Sequence, residues 1–221
     1  LPDDTGMAYV LVQHLDPKHE SLLPELLARV TPMDVHEAQQ DMVVEANHVY
    51  VIAPNTDMTL SQGALSLLPR TEVGGQHLSI DTFFCSLAER RAAGAMGVIL
   101  SGTAADGTRG LQAIKAAGGM TFAQAPLSAQ FDGMPQSAIA AGSVDFIGSP
   151  EEIARELTRI SRHPYIRQPR VVETEEEAAP LPQEVPIGEP EFKQILRVLH
   201  RSTNTDFTAY KPTTIKRRIE R

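Results

Sequence analysis

The sequence predicts an α/β fold: a doubly wound, mainly parallel sheet flanked by helices, followed by a linker and the start of a small all-α domain. Three observations carry that expectation. Short apolar, β-branched runs at Met7–Val12 and Gly97–Leu100 each end in a polar tip, as buried strands do where they leave a sheet. The second run passes through the small-residue loop Ser101–Gly107 into a segment with Leu111 and Ile114 at helical spacing and a Gly118-Gly119 stop. Beyond residue 164 the composition turns to proline and glutamate, and then to a basic stretch.

Taken in order, the first run gives a strand ending at Gln13-His14. Leu22, Leu23, Leu26, Leu27 and Val30 form a helical stripe behind Ser21, stopped by Thr31-Pro32, and that helix is expected to cover the sheet. His48–Ala53 reads as a strand, and Met58–Leu67 as a hairpin turning at Gln62-Gly63. Phe83–Leu87 is helix-like, and Met120–Gln124 is a further strand. Ser149-Pro-Glu-Glu152 combines an N-cap, a proline at the first helical position and a capping-box acid before Ile153, Leu157 and Ile160. Strand and helix are expected to alternate throughout.

The chain has 221 residues, a formal net charge of −8 and 42% hydrophobic residues, enough to bury a sizeable core. No apolar run approaches the length of a membrane span and no signal-peptide pattern opens the chain, so no membrane insertion is expected. One cysteine, Cys85, leaves no disulfide framework and fits a reducing, cytoplasmic compartment. The seven histidines show no paired metal-ligand spacing. Residues 1–163 form the expected first domain, 164–190 an acidic proline-rich linker, and 191–221 the opening of another domain. That last segment carries eight Lys and Arg against three acids, yet nucleic-acid binding fits poorly: the chain is acidic and lacks an aromatic-basic RNA motif.

His14 and Asp106 stand out because both fall at strand tips, where α/β sheets collect their chemistry. A histidine and an aspartate so placed suit the base and orienting acid of nucleophilic hydrolysis. The bland alternatives are a hydrogen-bonded histidine at a strand end and an N-cap of the helix that Asp106 precedes. A cap tolerates Asp106→Asn, whereas a triad acid does not. No Gly-x-Ser-x-Gly nucleophile pattern occurs in the chain.

Residues 7–160 resemble the CheB-type chemotaxis protein-glutamate methylesterase domain through Val12-Gln-His14, Val49-Tyr-Val-Ile-Ala-Pro54, Ser79-Ile-Asp-Thr-Phe-Phe84, Val98-Ile-Leu-Ser-Gly-Thr-Ala-Ala-Asp-Gly107 and Gly133-Met-Pro135. The resemblance implies that His14 and Asp106 are the catalytic histidine and aspartate, and that Thr103 stands beside the loop that holds the oxyanion. Thr103 occupies a position where the family often has Met, and Ala104-Ala105 replaces its Gly-Asn. The family's serine is expected upstream of Leu1, which makes the domain N-terminally truncated; a degenerate domain is the alternative. Phe192–Leu199, Thr205-Asp-Phe207, Tyr210-Lys-Pro212 and Ile215-Lys-Arg-Arg-Ile219 resemble the opening of the helical N-terminal domain of CheR-type receptor methyltransferases.

A methylesterase fused to a methyltransferase follows, acting on glutamate γ-methyl esters, with glutamine deamidation as a second reaction. The partners implied are methyl-accepting chemotaxis receptors. The esterase half implies no metal or organic cofactor, and the fused half implies S-adenosylmethionine, bound by a portion after Arg221. An esterase-like docking module without catalysis is the competing class.

Overall fold

The computed structural model describes residues 1–14, 21–71 and 77–162, together with positions 192, 195, 196 and 215. The chain divides into two compact units, Leu1–Arg167 and Gln168–Arg221. In the second, Phe192, Ile195, Leu196 and Ile215 are helical, with Phe192 and Ile215 buried. The expected linker at 164–190 and the other motif positions of 191–221 lie outside the described residues.

The first unit runs β1 (Tyr9–Leu11), α1 (Leu23–Ala28), β2 (Asp34–Glu37), β3 (Met42–Val43), β4 (His48–Val51), β5 (Thr56–Ser61), β6 (Ala64–Pro69), α2 (Ser79–Arg91), β7 (Met96–Ile99), α3 (Thr108–Ala116), β8 (Met120–Gln124), α4 (Gly133–Ala140), β9 (Phe146–Gly148) and α5 (Pro150–Ser161). Two three-stranded parallel sheets, ordered β1-β4-β2 and β7-β8-β9, frame it. A third sheet, β3-β6-β5, is antiparallel. Strand and helix therefore do not alternate throughout: β2 to β6 follow one another without a helix. Here the chain passes between the parallel sheet and the antiparallel one, and of these consecutive strands only β5 and β6 are antiparallel neighbours, which a tight turn can join.

Local signals explain most elements. Gln62 and Gly63 both take positive φ (49° and 81°), the two-residue type I′ geometry that matches strand twist and joins β5 to β6. Helix α3 ends in a Schellman motif, with Gly118 N–H on the Lys115 carbonyl and Gly119 N–H on that of Ile114. At α5 both halves of the capping box form: Glu152 N–H donates to Ser149 Oγ, and Ser149 N–H donates to Glu152 Oε2. Ile153, Leu157 and Ile160 line the buried side of that helix.

Two burial expectations change. Leu22, Leu26 and Val30 are exposed and α1 buries no residue, so it does not cover a sheet; the half-buried Leu23 and Leu27 rest it beside β2. Five apolar residues in nine overfill one face of so short a helix, and the second face turns outward. In β7 burial alternates, with only Gly97 and Ile99 inside, because β7 is an outer strand among the described residues. Full burial belongs to β8 between its two neighbours.

The core runs from Tyr50, Ile52 and Met58 through Phe83 and Phe84 to Ile99 and Ile114. Helices α2 and α3 approach closely at Gly110, where an added Cβ would sit 2.3 Å from Phe84 Cβ. Gly110→Ala should therefore destabilise the domain by about 1–3 kcal/mol through overpacking, despite alanine's better helix propensity. Chemical denaturation of the purified chain checks this.

Candidate active site

The site is built where β1, the loop after β7 and the start of α2 meet. Chain leaving β1 delivers His14 three residues past Leu11. The loop after β7 is clamped from the far side: Gly102 N–H donates to the Phe131 carbonyl, Met134 N–H to the Gly102 carbonyl, and Ser101 N–H to Gln124 Oε1. That clamp fixes the loop which ends in Asp106.

Asp106 and His14 come together. His14 Nε2 lies 3.0 Å from Asp106 Oδ2, with the imidazole 39% exposed and the carboxylate 4% exposed. This asymmetry suits the chemistry of a base that must meet an incoming hydroxyl and an acid that only orients it. With Nε2 donating to Asp106, the accepting lone pair of the neutral ring sits on Nδ1.

The N-cap expectation for Asp106 is corrected by the geometry. The N-cap of α3 is Gly107, in left-handed conformation (φ 87°), and no side chain caps that helix from this position. The reversal at Gly107 aims the carboxylate at α2 instead. Ile80 N–H donates to Oδ2 at 3.0 Å and Asp81 N–H to Oδ1 at 2.9 Å, while Gly107 N–H reaches Oδ1 at 2.8 Å. Asp106 thus caps a helix about 25 residues upstream, satisfying amides that α2 leaves open. Burial without cations is possible because main-chain donors meet both oxygens.

Two further acids complete the junction, and sequence reasoning missed both. Asp81 accepts from Gly110 N–H at 2.7 Å, so α2 and α3 cap each other with exchanged carboxylates. Burial raises the Asp81 pKa, the Gly110 hydrogen bond opposes this, and the Asp106 charge adds to the rise. Asp57, at the start of β5, accepts from Ser79 Oγ at 2.6 Å and from both the N–H and Oγ1 of Thr71. Burial alone would raise the Asp57 pKa, but these donors outweigh it and the net shift is downward. An acid in the first turn of α2 was the available signal for Asp81; nothing local pointed to Asp57.

Beside His14 a cavity is lined by Gln13, Ala53, Asn55, Thr56, Arg70 and Ser79. Ser79 is its serine, but the hydroxyl proton is committed to Asp57. Burial and the nearby Asp81 push the Cys85 thiol up, so it is no ready nucleophile. Thr103 is exposed on the loop three residues before Asp106, and its side chain bonds to none of the described residues. Among the described residues no three His, Cys, Asp or Glu converge on a metal position, and no helix is long and apolar enough to cross a membrane.

The family model for CheB methylesterase matches residues 1–157. The chain belongs to the CheB methylesterase family. A second model, the all-alpha domain of CheR methyltransferase, matches residues 190–221, so the two halves stand in one chain in that order. A 104.1 kDa protein of Rhodobacter capsulatus is 39% identical over 210 residues, covering 90% of this chain and 22% of that protein. A putative protein-glutamate methylesterase/protein-glutamine glutaminase of Leptospira interrogans is 32% identical over 74% of the chain and 85% of its own length. For protein-glutamate methylesterase/protein-glutamine glutaminase 2 of Burkholderia pseudomallei the values are 35%, 71% and 46%. The crystal structure of the Thermotoga maritima CheB methylesterase catalytic domain superposes with a TM-score of 0.67 at 25% identity, over 72% of this chain and 87% of that one.

Two expected outcomes follow from the junction. Asp106→Asn places an amide nitrogen against an α2 N–H, so it should cost about 1–3 kcal/mol, unlike a substitution at an ordinary cap; thermal unfolding of the variant measures it. Asp57, with its folded pKa below the ordinary aspartate value, stabilises fully above that ordinary value and loses its contribution as pH falls through the folded pKa. The gap in thermal midpoint between the wild type and Asp57→Asn should therefore be wide at neutral pH and narrow below pH about 4.

Proposed function

We propose that residues 1–163 belong to a methylesterase domain that hydrolyses glutamate γ-methyl esters on methyl-accepting chemotaxis receptors, with glutamine deamidation as a second reaction of the same site. The observation that carries this reading is the contact of the half-open His14 with the buried, amide-held Asp106 in a chain of this family. On this reading the nucleophile is a serine upstream of Leu1, as the family resemblance implies.

In the mechanism that serine attacks the ester carbonyl while His14 accepts its proton on the nitrogen turned away from Asp106. The imidazolium so formed is stabilised by the adjacent carboxylate, which hydrogen bonds from Ile80 and Asp81 hold in place. His14 then returns the proton to the departing methanol, and water deacylates the enzyme by the same route. The family resemblance is the ground for setting Thr103 beside the oxyanion, and Thr103 lies on the loop that carries Asp106. This chemistry uses side chains and water. S-adenosylmethionine belongs to the methyltransferase half, and no step here passes through it.

The test is methanol release from methylated receptor by the full-length protein. His14→Ala should lower turnover by about a thousandfold or more with the fold retained; unchanged turnover in the folded variant removes His14 from the mechanism. The 221-residue chain is the control, and methanol release from it would locate the nucleophile within residues 1–221.

A further inference from the structure

We propose that Asp81 is a positioning residue for the His14–Asp106 pair, acting by tying the first turn of α2 to the first turn of α3. The inference rests on the esterase reading for its kinetic consequence, and on geometry alone for its structural one.

Asp106 receives its helix amides from Ile80 and Asp81, the second and third residues of α2. It is itself attached to α3 through Gly107, the N-cap of that helix. The distance between the two first turns therefore sets where the carboxylate lies. A bond from one turn to the other helps hold that distance, and the Asp81 side chain makes one, accepting from Gly110 N–H at 2.7 Å. Packing allows the approach: a Cβ at Gly107 would meet Ile80 Cγ2 at 2.8 Å, and one at Gly110 would meet Phe84.

Residue 81 thus acts twice in opposite directions. Its backbone N–H gives to Asp106, and its side chain takes from α3. The second action can be removed without touching the first, because a substitution at 81 leaves the backbone donor in place. Asp81 is buried at 7% exposure and is not among the residues lining the cavity beside His14. Its effect must then pass through Asp106, which is what separates it from a substrate contact.

Two readouts test the role. In the 221-residue chain, the imidazole N–H proton of His14 that faces Asp106 is followed by nuclear magnetic resonance as a hydrogen-bonded downfield signal. In the full-length protein, kcat and KM for methanol release are measured below the unfolding temperature of every variant. Asp81→Ala should move the signal upfield or broaden it away, and should lower kcat by about 10- to 100-fold with KM within about twofold, as small misplacements of catalytic groups do. Asp81→Asn keeps an oxygen for Gly110 N–H and should retain the signal and kcat within about threefold.

A folded Asp81→Ala with the wild-type signal and kcat overturns the proposal, reducing Asp81 to a helix cap. An Asp81→Asn as impaired as Asp81→Ala overturns it as well, by assigning the effect to charge. If Asp81→Ala does not fold, Asp81→Glu, whose carboxylate is displaced by one methylene, takes its place with the same expected losses. If the wild type releases no methanol, the esterase reading fails, and the His14 signal still decides the role of Asp81.

Discussion

The site depends on one constraint: the N-terminus of a buried helix must find acceptors for its open amides. In α2 these come from Asp106, which lies on another segment, and the first residue of the helix adds its hydroxyl to Asp57. Asp81 answers from α2 to α3. Three carboxylates converge where an ordinary count of charges would forbid them. Main-chain dipoles and hydroxyl protons meet these carboxylates, so orienting His14 and capping α2 become a single structural act.

Much of the fold was legible because its signals were local. The Gln62-Gly63 turn, the Gly118-Gly119 stop and the Ser149–Glu152 capping box each act over a few residues, and each formed as read. His14 and Asp106 were legible as a pair only through their shared place at strand tips and the family motifs. What failed was long-range. Asp106 was read against the helix next to it in sequence, but Gly107 turns the chain so that the carboxylate meets a helix 25 residues earlier. Asp57 and Asp81 have partners 14 to 29 residues away, beyond any periodicity. The leucines around α1 carried a correct helix signal and a wrong burial inference, since spacing reports a face without saying what lies against it.

Asp106 and Asp81 sit in different environments. Asp106 has both oxygens occupied by amide donors as well as the imidazole, which fixes the carboxylate's orientation. For Asp81, burial raises the pKa against the Gly110 hydrogen bond, and the Asp106 charge adds to the rise while Arg109 opposes it. A further carboxylate, Asp57, holds the Ser79 hydroxyl that lines the cavity. Each of these carboxylates is placed by what donates to it.

Because Asp106 is gripped by peptide N–H groups, its partners have no side-chain identity to preserve. Position 80 can drift among apolar residues that fill the same space without altering the donor it presents. The latitude in composition is matched by intolerance in register: each residue of slippage rotates a helix by about 100°. A single insertion or deletion inside the first turn of α2 would swing the amides off the carboxylate, and a proline at 80 or 81 would delete one outright. This part of the molecule can therefore evolve by exchange of side chains while its length and backbone path stay fixed.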